Sequence, residues 1–307
     1  MIFNVNVMNI SQKIGTYTKA LGLSLAVGLS SCSRDIHVKP DIVFNKADST
    51  SLQLISMLER GDKHAVMLAK PPKGRQVLSI DEISNYIPND SIGELFYQVY
   101  VGKADKAIGK AKGRTKDIVT VGQGISATDH ITLAGGIQAK KGDYISSHST
   151  DSITNLVILR NDYIIKDCIG ESTYSKLQQH EKDAILAYLH NVDPKILKKA
   201  PSGKSFFEYL SEGNKGMVQS KFNISPSSDV AAAGLAKRNL IQLLIFGDGK
   251  VYRNKEAQEN FKKQVNIIRE NKNGKKLLKE ALDIVRKYGV NQKNLSKTEE
   301  IIFPKAK

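Results

Sequence analysis

The chain has 307 residues, 40% apolar and 25% charged, with a net charge of +15 and a pI near 9.5. That length supports a real core and one or two domains, and the balance of residues is that of a folded chain, not of a disordered or low-complexity one. The positive field favours polyanionic partners (nucleic acid, anionic lipid or an acidic cell wall) without choosing among them.

The chain opens with Lys13 and Lys19, then a short apolar run from Ala20 to Leu29, with no acid before Asp35. The run is too short to span a bilayer and has the form of a secretory signal. Leu29-Ser30-Ser31-Cys32 is similar to a bacterial lipobox. Residues 1–31 are therefore expected to be a signal peptide, with Met8 an alternative start. Cys32 is expected to be the lipidated first residue of the mature chain. An ordinary signal peptide or a buried N-terminal helix is the plainer reading. Lipidation leaves Cys168 a lone thiol, expected to pack as a small apolar side chain.

Residues 33–50 are polar and read as a tether. In "SLQLISMLER" (51–60), Leu54, Ile55 and Leu58 fall near helical spacing before Gly61. "KPPKGR" (70–75) reads as a turn. Ser79 and Glu82 fit a capping box for a helix ending before Pro88. "FYQVYV" (96–101) reads as a strand and "DIVTVGQGI" (117–125) as a second one with its turn. Together they predict a β-hairpin with an enlarged basic tip at 102–116. Residues 133–144 read as a loop.

From Ser152 onward the pattern is helical. Ser175-x-x-Gln178 reads as a capping box ahead of a stripe of Ile185, Tyr188, Leu189 and Val192, ended by Pro194. Ser205-x-x-Glu208 caps a short helix closed by Gly213, and residues 231–247 form a helix stopped by Gly247. Residues 253–307 hold 15 Lys and Arg against 7 Asp and Glu. Phe261, Val265 and Ile268, then Leu278, Leu282 and Val285, predict two amphipathic helices broken at Asn273-Gly274. The plain reading is a helical hairpin with a solvated basic face. The sharper one is an accessory surface for an anionic polymer.

Several familiar chemistries are excluded by context. Gly122, Gly124 and Ala127 match G-x-G-x-x-A, but no helix opens after them, as a dinucleotide site requires. "PSGKS" (201–205) lacks the first glycine of a P-loop, since Lys198 stands there. The six histidines pair neither with one another nor with cysteine at metal-ligand spacing, and no G-x-S-x-G nucleophile motif occurs. The carboxylates remain. A glycosidase needs an acid on one side of the scissile bond and a second carboxylate, or a water held by one, on the other. A glutamate at a helix end facing Asp and Thr on a hairpin supplies such a cleft. Most acids, however, are solvated surface charges.

The helical half resembles the C-terminal lobe of phage-type lysozymes. Asp183-Ala184, Asn191-Val192, Ser205, Leu210, Gly213, Phe222, Gly234-Leu235 and Lys237-Arg238 match its short motifs in order. Residues 140–163 look like the family's link from hairpin to helices, and the resemblance covers about residues 90–250. The family's second hairpin strand reads T-hydrophobic-G-x-G-H, which Thr120-Val121-Gly122-Gln123-Gly124 follows. Ile125 stands in place of the family's His, Gln123 in place of its aromatic, and Gln242 in place of a helix Glu. The resemblance implies Glu94 as the general acid, Asp105 or Asp117 as the catalytic Asp, and Thr120 as the catalytic Thr.

The expected fold is α+β and lysozyme-like, with a small β-hairpin lobe, a larger helical lobe and extra C-terminal helices. The expected divisions are a signal peptide at 1–31, a lipidated tether with a short helix at 32–75, the lysozyme-like domain at 76–252, and a basic helical extension at 253–307. The resemblance implies hydrolysis of β-1,4 bonds in peptidoglycan glycan strands, without metal or cofactor. The protein would be an exported lipoprotein anchored to the membrane by its N-terminal lipid, in the periplasm or at the cell surface. The alternative is a non-catalytic peptidoglycan-binding lipoprotein on a degenerate lysozyme scaffold. An exported chain leaves nucleic acid outside the expected partners, although charge alone would admit it.

Overall fold

The computed structural model describes residues 49–59, 65–68, 75–85, 94–101, 118–192, 194–198, 203–224 and 232–304. Small sheets and a majority of helix make it a mixed α+β protein. The described residues form two compact units. One is Leu58–Leu159, and the other is Ser49–Met57 together with the chain from Arg160 onward. The first helix, α1 (Ser49–Glu59), thus gives Ser49–Met57 to the helical unit and Leu58 and Glu59 to the β unit.

The β unit continues with β1 (Ala65–Leu68), β2 (Gln76–Val77) and the short helix α2 (Ile80–Asn85). The capping box read from Ser79 and Glu82 is formed: Ser79 N donates to Glu82 Oε2 at 2.9 Å, and Glu82 N donates to Ser79 Oγ at 3.2 Å. Strands β3 (Glu94–Gln98), β4 (Ile118–Val121), β5 (Ile125–Thr128), β6 (His130–Thr132), β7 (Gln138–Lys140) and β8 (Tyr144–Ser146) follow, then the long helix α3 (Ser147–Ile169). One sheet has the order β1-β3-β8-β2, antiparallel except for the β2–β8 pair; β4-β5 and β6-β7 are separate ribbons. Val99, Val119, Val121, Ile125, Ile131 and Ile145 share one buried cluster.

The hairpin expected between 96–101 and 117–125 does not form as a ladder. Strand β3 has β1 and β8 on its two edges, and β4 pairs with β5. Among the described residues an isolated bridge joins the two segments, with Tyr100 and Thr120 exchanging backbone hydrogen bonds of 2.9 and 2.7 Å. Strand β4 instead runs into β5 through a three-residue turn at 122–124, the shorter closure. Residues 133–144, read as a loop, contain β7, because Ile131 pairs with Ala139 across a tight 3-10 turn at Ala134–Gly136.

The helical unit holds α4 (Glu171–Ser175), α5 (Gln179–Leu189), α6 (Pro194–Leu197), α7 (Phe206–Ser211), α8 (Lys215–Ser220), α9 (Ala232–Phe246), α10 (Lys255–Arg269), α11 (Gly274–Tyr288) and α12 (Gln292–Ile302). Helix α9 is buried without a break from Asn239 to Phe246, and α5, α10 and α11 pack around it. A helix apolar on all sides is a core helix. Tyr188, Phe206 and Phe246 surround Phe222 with ring centroids 5.0, 6.0 and 5.4 Å away. The basic C-terminal region breaks at Asn273-Gly274 as its pattern indicated, and both of its apolar stripes are buried. The cap of α5 sits three residues later than the sequence implied. Gln178 precedes the helix, and its N–H donates to Glu181 Oε2 at 3.0 Å. Among the described residues no helix is long and apolar enough to cross a membrane.

Asp183 ties this unit together. Its carboxylate is fully buried and accepts from Ser51 Oγ on α1, from Gln179 Nε2 at 2.9 Å and from the Tyr288 hydroxyl on α11 at 2.6 Å. Replacing it leaves three donors without their acceptor. Asp183→Ala is expected to lower stability by about 3 kcal/mol, read as a fall in the urea midpoint. A loss below about 1 kcal/mol, typical of a surface change, would show the bonds to be dispensable.

Candidate functional site

The chemistry-bearing residues of the β unit gather around the β4–β5 turn. Gly122 and Gly124 adopt φ of 50° and 74°, the left-handed region that glycine enters at no steric cost. A side chain at either position would meet a neighbouring one. A Cβ on Gly122 would lie 2.2 Å from Thr150 Cγ2, and one on Gly124 would lie 2.6 Å from Glu59 Oε2. Between them, the Gln123 side chain turns inward and is 4% exposed. Its Nε2 donates to Asp151 Oδ1 at 2.6 Å, and its Oε1 lies 3.3 Å from the Thr154 hydroxyl. Both partners stand on α3, so the turn is fixed from one side by that helix and contacted on the other by Glu59.

Glu59 is the last residue of α1. The macrodipole disfavours a carboxylate at a helix C-terminus, and the last turn of α1 carries no basic residue. The side chain is partly exposed. Its carboxylate lies beside the backbone of the Gly-x-Gly turn.

Thr120 lies on β4 opposite Ser126 on β5, and the two hydroxyl oxygens are 2.9 Å apart. Ser126 Oγ in turn lies 3.3 Å from the Gly124 carbonyl. A chain of contacts thus runs from Thr120 through Ser126 to Gly124 and on to Glu59. The arrangement provides one carboxyl group, a pair of hydroxyls and a glycine backbone, suited to proton transfer and to hydrogen bonding with a polyhydroxyl ligand.

The sequence-derived residues fall unevenly on this geometry. Thr120 is within it. Glu94 begins β3, with its backbone opposite Leu68 and six positions before Tyr100, the residue bridged to Thr120. Six extended residues span about 20 Å, so the strand carries the Glu94 backbone well away from Thr120. Asp105, Asp117 and Cys32 lie outside the described residues. Glu59 was not singled out from the sequence, because its helix was read as part of the tether. The available signal was an acid ending an amphipathic helix just before Gly61.

A second carboxylate in this unit has a structural role. Glu82 accepts from the hydroxyls of Ser146, which ends β8, and Ser149, in the first turn of α3, and from Ser79 N. Burial alone would raise its pKa, but the hydrogen bonds from Ser146, Ser149 and Ser79 outweigh burial and hold the carboxyl below its usual range. Cys168, expected to be buried, is only partly so. Burial pushes its thiol pKa up against the opposing charge of Lys198, which is not the setting of a reactive thiolate. Among the described residues no group of three or more His, Cys, Asp or Glu side chains is placed to hold a metal ion.

No protein-family profile, curated protein or solved structure matches the chain.

Two outcomes follow from this geometry. Gly124→Ala must both hold a left-handed φ and displace the Glu59 carboxylate, and is expected to cost about 1–2 kcal/mol, seen as a lower thermal midpoint. The Glu82 bonds stabilise the folded state above the ordinary carboxylate pKa and are lost as pH falls through the depressed folded value. The gap in thermal midpoint between the parent and Glu82→Gln should therefore be widest near neutrality and close in acid. A gap that stays constant with pH would show that the charge is not involved.

Proposed function

We propose that the protein is a glycoside hydrolase that cleaves β-1,4 bonds in peptidoglycan glycan strands, held at a membrane surface by a lipid on Cys32. The observation that carries this reading is the contact of the Glu59 carboxylate, at a helix end, with Gly124 in the hairpin that holds Thr120. An acid at a helix end beside the hairpin is one of the two groups that glycosidic hydrolysis needs. It joins the ordered short motifs by which the helical half resembles phage-type lysozymes. In this reading Glu59, rather than Glu94, gives its proton to the glycosidic oxygen as the C1–O bond breaks. Thr120, with Asp105 or Asp117, positions the water that adds to C1 and gives up a proton, or stabilises the oxocarbenium charge. The net charge of +15 favours an anionic wall polymer as partner, and the reaction needs no metal or cofactor.

One observation favours the alternative, a non-catalytic peptidoglycan-binding lipoprotein. Gln123 stands where the resemblance has an aromatic, and it is buried against α3 instead of offering a surface to sugar.

The test is turbidity loss of purified peptidoglycan by the purified chain, beside Glu59→Gln and Glu94→Gln. The parent is expected to clear the suspension and release reducing ends. Glu59→Gln should lose at least about a hundredfold in rate, while Glu94→Gln keeps most of it. The reverse order would return the acid to Glu94. Sedimentation with peptidoglycan but no clearing by any of the three would favour the binding protein.

A further inference from the structure

Thr120 and Ser126 face each other across the β4–β5 ribbon, and the pair has one detail that sets a direction. Each hydroxyl has one proton to give and lone pairs to receive. Their oxygens are 2.9 Å apart, and geometry alone allows either to be the donor. Ser126 Oγ has a second neighbour, the Gly124 carbonyl at 3.3 Å, which can only accept. If Ser126 gives its proton to that carbonyl, its lone pairs must receive the proton of Thr120. Thr120 Oγ1 then has no proton left to offer and can only accept.

We propose that Ser126 is a positioning residue that fixes this polarity, so that Thr120 presents lone pairs alone to whatever meets it. The role rests on the glycosidase reading above. A water that donates one proton to Thr120 keeps an oxygen lone pair for the anomeric carbon. A water that instead accepted a proton from Thr120 would have one of its two lone pairs engaged by the hydroxyl and would be turned differently toward that carbon. The carbonyl that orients the relay belongs to Gly124, the residue against which Glu59 packs. The same turn therefore locates the acid and orients the hydroxyl. Thr120 itself is only 7% exposed, which leaves little freedom for its hydroxyl to find another acceptor.

The experiment is steady-state turnover of soluble glycan strands by the full chain, compared with Ser126→Ala and Ser126→Thr. Denaturation midpoints are measured beside it. Ser126→Ala removes the acceptor for the Thr120 proton and is expected to lower kcat about tenfold at unchanged KM. Ser126→Thr keeps the hydroxyl and should restore kcat to within about threefold of the parent. If both variants fold and Ser126→Ala keeps the parent kcat, the relay is overturned while the glycosidase reading stands. Equal loss of kcat in both folded variants would also overturn it, since packing would then be the cause. If the parent chain turns nothing over, the glycosidase reading fails and takes this role with it.

Discussion

At both glycines of the Gly122-Gln123-Gly124 turn, φ is left-handed and an added side chain would meet a neighbouring one. Thr150 occupies the space on one side and the Glu59 carboxylate the space on the other. The rest of the candidate site follows from that close packing. The turn makes β4 pair with the strand that immediately follows it, which sets Thr120 opposite Ser126. The inward Gln123 side chain fastens the turn to Asp151 and Thr154 on α3. Next to the turn stand the Glu59 carboxylate and the paired hydroxyls of Thr120 and Ser126.

The helical unit meets a different constraint, the burial of charge. Asp183 and Glu181 are both fully buried on α5. An ionised carboxylate in such a place is tolerable only with several donors or a cation. Asp183 has donors from α1, α5 and α11, and Glu181 has Lys215 at 2.6 Å. The consequence is specificity of assembly. Ser51 and Tyr288 are far apart in sequence, yet one carboxylate requires both. Helix α1, which reads in isolation as a piece of tether, is thereby part of the folded body.

How much of this was legible in the sequence depends on the range of the interaction. The caps at Ser79 and Ser205, the break at Asn273-Gly274 and the stripes of α10 and α11 were readable, because each depends on residues within a few positions. Strand pairing was less so. Residues 96–101 and 117–121 are both strand-like, but only the tertiary structure shows that β1 and β8 occupy the two edges of β3. The cap of α5 was placed at Ser175, whereas Gln178 serves there through Glu181. Thr120 was found through the glycines beside it. Glu59 was not, since an acid ending an amphipathic helix is usually a solvated one; its place beside the turn depends on Gly124, 65 positions further on.

The helical unit supplies the order of motifs that resembles a wall-cleaving family, and the β unit supplies an acid against a hairpin. On the proposed reading the chemistry falls on a glycosidic link and not on the peptide cross-links of the same polymer. The most direct measurement is mass spectrometry of the soluble products from purified peptidoglycan digested in H2(18)O. One heavy oxygen at a newly formed reducing-end sugar is the predicted result. Heavy oxygen in a peptide carboxyl group, with the glycan strands left intact, would contradict it.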